Sequence, residues 1–337
     1  MNLSETVRLE IINGIMSGKY PPGTRLPSER EYAENGKISR ITVRKAYEEL
    51  EKAGIILRKR PGGTFVNHNF SARSGDLSAI GVITTLPHEF SGRFVEALGR
   101  CCDEADVLMV LGIPEPDTSA SQLKLAMRMA TRGIKDIIVW GADCNFDEKA
   151  FMRLRILGVN LVFFDQVIPG SYADYVGLDN ASAVSELLRL ARNARAPHYV
   201  FLNFSDLYVD SNAEREQAFS AGLAKYQLPG EVLKIRLHAS RQEKDQLLEQ
   251  LEALPENTAI IGVNSIILRQ LFTTASKKFL LSCVDHVAQL GDLNATGYNQ
   301  PITAMAEKAF SLLQDQHRKG EKWRAGQYRF KGAAVTL

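Results

Sequence analysis

The chain has 337 residues, 45% hydrophobic and 24% charged, with 41 Lys and Arg against 39 Asp and Glu for a formal charge of +2. That composition excludes a disordered, collagenous or disulfide-framework protein, and the length suits about two domains. No apolar run approaches the roughly 18 residues a bilayer span needs, and the four cysteines, Cys101, Cys102, Cys144 and Cys283, have neither disulfide nor zinc spacing.

The opening stretch lacks a basic region followed by a continuous apolar core, so it reads as no secretory signal, and a reducing cytoplasm is expected. Near-neutrality argues against a nucleic-acid partner only until the charge is divided along the chain. Residues 1–70 hold 12 basic and 8 acidic side chains, a balance of +4, which leaves −2 for the other 267. Segment 37–60 alone carries eight basic residues against three acidic ones. A compact basic segment of this kind is a candidate anion-binding face.

In chain order, Leu3, Val7, Ile11 and Ile15 recur at helical spacing, so 4–17 reads as an amphipathic helix ended by Gly18 and Pro21-Pro22-Gly23. Ser28 followed by Glu31 forms a capping box that starts a short helix, with Tyr32 and Ala33 inward, running to about Asn35-Gly36. Ser39 then caps a longer helix whose Val43, Ala46, Tyr47, Leu50 and Ala53 make one apolar stripe. Its other face carries Arg40, Thr42, Arg44 and Lys45, the two arginines four apart near the helix N-terminus. After Gly54, 55–59 and 64–67 read as strands around Pro61-Gly62-Gly63. Three helices and a hairpin make a winged helix-turn-helix, whose second turn helix enters the DNA major groove while flanking cations neutralise phosphates.

The run Gly23-Thr24-Arg25-Leu26-Pro27-Ser28-Glu29-Arg30, then Ile38 through Leu50, then Gly54 and Gly63-Thr64-Phe65-Val66 resembles the DNA-binding head of the GntR family over about residues 20–67. The resemblance implies double-stranded operator DNA as a partner, with Arg30, Ser39, Arg40, Thr42 and Arg44 at DNA-contacting positions and Gly63 at the wing tip. Tyr32 stands where the family usually has leucine, and Pro61 where the wing often has its first glycine.

Residues 67–78 are polar and aperiodic. The expected division is a head at 1–68, a linker at 69–78 and a second domain at 79–337. In that domain short apolar runs (79–85, 107–111, 136–140, 160–164, 199–203, 232–237, 259–263, 279–284) alternate with amphipathic stretches (92–105, 119–132, 147–157, 181–194, 212–226, 240–254). Repeated βα units predict a doubly wound parallel α/β fold, large enough for two lobes around a cleft. Polar residues gather at the strand ends: Asp165 after 161–164, Asn264 after 260–263, Asp285 after 281–284, with Arg215 early in a helix. Singly each suits a cap or a surface position; together they form the donor and acceptor set that a polyhydroxylated ligand requires.

The segments Val162–Gln166, Tyr175–Asn180, Arg215–Phe219, Gly262–Asn264, Cys283–His286 and Tyr298–Pro301 resemble the effector domain of LacI-type repressors, itself similar to periplasmic sugar-binding proteins. That resemblance implies an effector site lined by Asp165, Arg215, Asn264 and Asp285, with Phe90 in the loop after the first strand. Ala218 replaces a usual glycine, and His286 a frequent acidic residue. A GntR-type head joined to such a domain is similar to arabinose-repressor-like regulators.

The expected function is a cytoplasmic, homodimeric DNA-binding regulator, a repressor released by a sugar-like effector, with no cofactor and no metal. A non-sugar effector such as a purine, or redox sensing through the Cys101-Cys102 pair, remains an alternative. An enzyme fused to the head is disfavoured: the chain has no G-x-S-x-G, H-E-x-x-H or P-loop, no evident Schiff-base lysine for pyridoxal phosphate, and its six histidines are scattered.

Overall fold

The structure, a computed structural model, describes residues 3–59, 61–67, 77–84, 89–142 and 146–336. The head contains α1 (Leu3–Met16), α2 (Glu29–Gly36), α3 (Arg40–Lys52), β1 (Ile56–Lys59) and β2 (Gly63–Val66). The capping box forms as expected. Ser28 Oγ accepts from the Glu31 N–H at 3.2 Å, and Glu31 accepts from the Ser28 N–H at 2.7 Å. Lys37, in the left-handed region at φ 52°, ends α2, and Ser39 Oγ accepts from the Thr42 N–H at 3.1 Å to start α3. These two caps set the short turn between α2 and α3.

Val43, Ala46, Tyr47 and Leu50 are fully buried against Val7, Ile11 and Ile15 of α1, and the Tyr47 hydroxyl donates to the Pro27 carbonyl at 2.7 Å. Each large side chain buried here contributes roughly 1.5–3 kcal/mol. The stripes are shorter than the spacing predicts. Ala53 is exposed because α3 stops at Lys52 and Gly54, at φ 71°, turns the chain into β1; Leu3 lies exposed at the first residue of α1. β1 and β2 pair antiparallel, and Arg25 bridges to Phe65, so the loop before α2 widens the hairpin.

The larger body holds two six-stranded sheets. The first lobe is built from β3 (Ala79–Ile83), α4 (Glu89–Glu104), β4 (Leu108–Gly112), α5 (Ser119–Thr131), β5 (Asp136–Trp140), α6 (Glu148–Leu154), β6 (Asn160–Phe164) and β7 (Asp174–Leu178). The chain then crosses to α7 (Asn180–Asn193), β8 (Tyr199–Phe204), α8 (Asp210–Tyr226), β9 (Gly230–Ile235), α9 (Arg241–Glu252), β10 (Thr258–Gly262), α10 (Ser265–Leu271), β11 (Phe279–Cys283) and β12 (Thr296–Asn299). It returns through α11 (Ile302–Lys319) and β13 (Gln327–Phe330) to the first lobe, and ends with β14 (Ala333–Thr336) in the second. The sheet orders are β4-β3-β5-β6-β7-β13 and β9-β8-β10-β11-β12-β14, parallel throughout except for β14 against β12.

Both sheets therefore reverse strand order beside their first strand, which opens a crevice at the carboxyl ends. The eight predicted strands fall within two residues of the observed ones. β7, β12, β13 and β14 were not among them; each is only four or five residues long, and β13 and β14 carry little apolar alternation. The predicted linker lies outside the described residues except for Leu77 and Ser78. The head also touches the body directly: Arg153 of α6 donates to the Met16 carbonyl at the end of α1.

Candidate functional site

In the head, the start of α3, the start of α2 and the hairpin enclose a cleft of about 410 Å³ whose walls include Arg25, Arg30, Arg40, Arg58 and Lys59. Five cations around one opening are held apart by few anions. Glu29 is the carboxylate among them: it accepts from Arg44 Nε at 3.2 Å and pairs with Arg58 at 3.2 Å, while Arg58 also pairs with Glu51 at 3.1 Å. Arg30 pairs with Glu34 at 2.7 Å, on a largely exposed surface where screening leaves such a pair weak. Arg40 forms no ion pair among the described residues.

Of the residues expected to meet DNA, Arg30, Arg40 and Gly63 line this cleft and Ser39 and Thr42 sit at its helix N-terminus. Arg44 is turned toward Glu29. Gly63 pairs with Lys59 as the last rung of the hairpin, just behind the Pro61-Gly62 tip. Its φ of 109° is open only to glycine, and a Cβ there would lie 2.9 Å from Arg25 Nε. Arg25, Arg58 and Glu29 escaped the sequence reading, since the hairpin has to fold before they face α3.

In the body, Asp165 stands at the end of β6 and is 6% exposed, with φ 62°. A left-handed non-glycine residue at a strand end stores strain of the kind found at ligand sites. Its backbone is pinned: the N–H donates to Val176 and the carbonyl accepts from the Tyr175 hydroxyl at 2.9 Å. Its Oδ1 has no hydrogen-bond partner among the described residues. Burial pushes the carboxyl up to about 6, the Arg215 guanidinium pulling it down and the Asp285 and Glu214 carboxylates pushing it further up.

Arg215, 4% exposed on α8, donates through Nε to Asn180 at 2.7 Å and through Nη1 to the Val263 carbonyl at 2.9 Å. Asp285, after β11, accepts from the Ser265 N–H at 2.7 Å and from its hydroxyl at 2.8 Å. Asn264 Oδ1 caps α10, accepting from the Ile267 N–H at 3.2 Å. The structure thus gathers Asp165, Arg215, Asn264 and Asp285 at the facing carboxyl ends of the two sheets; Asn264 also does the capping work its position suggested, whereas Asp285 holds Ser265 at the start of α10 and leaves the turn after it to His286.

Phe90 is not in a loop. It is the second residue of α4, because that helix begins three residues earlier than the apolar spacing indicated, and its ring stacks on Phe164 at 5.8 Å and meets Trp140 edge-on at 5.3 Å. Asn180, Gln300 and Ser265 complete the crevice. Gln300 Oε1 is buried and unpartnered among the described residues. Asn180 and Gln300 lie where the chain crosses between lobes, whereas Ser265 opens α10 beside Asn264 within the second lobe. Those lobes are clasped: the Ile168 N–H donates to Asp210 at 2.8 Å, and Arg329 of β13 grips Glu214 of α8 through two bonds of 2.8 and 2.9 Å.

The family model for bacterial regulatory proteins of the gntR family matches residues 3–66. The N-terminal domain is a GntR domain. The chain is 38% identical over 84 residues to the arabinose metabolism transcriptional repressor of Geobacillus stearothermophilus, a match covering 25% of this chain and 23% of that one. It is 39% identical over 64 residues to the probable fructoselysine utilization operon transcriptional repressor of Escherichia coli K12, covering 19% and 26% respectively. The chain thus spans about a quarter of the length of these two curated relatives.

Beyond the GntR head, the chain is similar in structure to the Cra transcriptional dual regulator of Pseudomonas putida in complex with fructose 1-phosphate, with a TM-score of 0.65 and 14% identity over 77% of this chain and 98% of that one. The periplasmic binding protein of the arabinose transporter from Shewanella sp. ANA-3 gives 0.65 and 15% over 77% and 92%. At such identities the likeness establishes the two-lobed periplasmic-binding-protein-like fold. Among the described residues no helix is long and apolar enough to cross a membrane, and none of their His, Cys, Asp and Glu side chains gather as a metal cluster.

Proposed function

We propose that this protein is a DNA-binding transcriptional repressor of the cytoplasm, without enzymatic activity, whose operator affinity is set by a small sugar-like molecule held between the lobes. The observation that carries the DNA half is the cationic cleft between α3 and the hairpin, with Arg40 unpaired among the described residues at the α3 N-terminus. The helix dipole and the guanidinium both favour phosphate and base acceptors there. Arg30, Ser39, Thr42, Arg44 and Gly63 complete this face.

The ligand half rests on Asp165: a buried, strained carboxylate with an unpartnered oxygen opposite Arg215. An acceptor beside donors fits vicinal hydroxyls, with Asn264, Asp285 and Gln300 on the other wall. Phe90, Trp140 and Phe164 form an aromatic group on the first-lobe side. Sugar-bound neighbours of the same fold agree with this choice of ligand class. Ligand binding would trade the Asp210 and Arg329 clasps for contacts to the ligand and so change the angle between lobes, a coupling worth about 1–3 kcal/mol at the head.

The operative unit is a homodimer. β4 is a sheet edge whose Leu108, Val110 and Leu111 are exposed, as is Ile113 just beyond it. An apolar edge of this kind is normally covered. A redox role for Cys101 and Cys102 is disfavoured: burial raises both thiols, Cys102 to about 11, and keeps them protonated and unreactive. The test is an electrophoretic shift on duplexes selected by the full chain from a random pool, titrated with pentoses, hexoses and their phosphates. Release by one class supports the reading. Failure to select any duplex defeats the DNA half, and unchanged affinity across the panel defeats the sugar half.

A further inference from the structure

The first turn of the α3 outer face carries an apolar side chain. Ile41 is 78% exposed, the most exposed of the large hydrophobics among the described residues. At roughly 100° per residue, it lies diametrically opposite the buried stripe of Val43, Ala46, Tyr47 and Leu50. Arg44 and Lys45 follow one turn later on the same face, and Arg40 and Thr42 flank it. A lone exposed isoleucine is ordinary on a protein surface. This one sits in the first turn of the helix that faces DNA, surrounded by cations, where a β-branched residue adds nothing to helix propensity and touches no core.

The major groove presents donors and acceptors at every base pair but only one apolar group, the thymine C5-methyl. An isoleucine on a groove-facing surface has that partner alone. We propose that Ile41 is a specificity-determining residue that reads a thymine methyl in each operator half-site. This rests on the DNA-binding reading above and adds a base preference to it. Arg40 and Arg44 supply the polar contacts and the phosphate attraction; Ile41 supplies discrimination between thymine and any base lacking the methyl.

The test uses the full chain and a duplex that it selects from a random-sequence pool. Each dT of a half-site is replaced in turn by 2′-deoxyuridine, which deletes the methyl and leaves every Watson–Crick group in place. At one position the wild type should lose about fourfold in affinity per half-site, the value of one buried methyl. Ile41→Ala should lose about the same on the unmodified duplex and be indifferent to dU at that position, whereas Ile41→Val should retain most of the sensitivity. Because Ile41 touches no core, both variants should melt with the wild type. The inference is overturned if the wild type is indifferent to dU at every thymine, or if Ile41→Ala is as sensitive as the wild type. If no duplex is selected at all, the DNA-binding reading falls and this inference falls with it.

Discussion

Replacing Asp165 by asparagine separates what this side chain does for the ligand from what it does to the fold. Burial raises its carboxyl from 3.8 to about 6, so the folded protein holds the proton more tightly than the unfolded chain does. Between those two values the native state binds more protons, and stability falls as pH rises. A shift of about two units, with the Arg215 attraction already contained in it, corresponds to about 3 kcal/mol lost by pH 7. Asparagine keeps the shape and cannot ionise. Asp165→Asn should therefore be more stable than the wild type at pH 7, by up to about 3 kcal/mol, and the two should converge near pH 4.

Urea unfolding followed by the fluorescence of Trp140 and Trp323 reports on the lobe that carries Asp165. The same variant should lose sugar binding, since the amide offers a donor where the ligand hydroxyls need an acceptor. A variant less stable than wild type at pH 7, or a stability difference constant from pH 4 to 7, would refute the account of Asp165 as a carboxylate held at a cost for its ligand.

On the DNA side, Arg40→Ala or Arg44→Ala should abolish specific binding in electrophoretic shifts, a base contact being worth about 1–3 kcal/mol per half-site. Wild-type affinity should fall with a log–log salt slope of about −0.9 per neutralised phosphate. Glu29→Gln removes the anion that holds Arg44 and Arg58; affinity for scrambled duplex should rise while the preference for the selected one falls, and a fall in both would mean that Glu29 only supports the fold. Gly63→Ala should weaken DNA binding severalfold by displacing Arg25, with little change in the melting of the body. Leu108→Lys together with Leu111→Lys on β4 should give a monomer in analytical ultracentrifugation; an unchanged dimer would move the interface elsewhere.

The head was legible almost residue by residue. Its helices are defined by caps and stripes that act within four residues, so Ser28, Glu31, Ser39 and the Val43–Leu50 stripe declare themselves in the sequence. The αβ alternation of the body was equally plain, because buried parallel strands are short continuous apolar runs. The misplacement of Phe90 and the absence of β7, β12, β13 and β14 from the prediction share one cause: spacing locates the middle of an element better than its ends, and strands of four or five residues carry little pattern.

What the amino-acid order determined by itself is the set of elements and the local caps, since those depend on neighbours in the chain. Only the tertiary structure decided which distant groups meet. It set Glu29 between Arg44 and Arg58, left Asp165 with a bare oxygen opposite Arg215, and joined the lobes through Arg329 and Glu214, 115 residues apart. Charge, desolvation and strain act through space, and at those separations the sequence carries no trace of the distance.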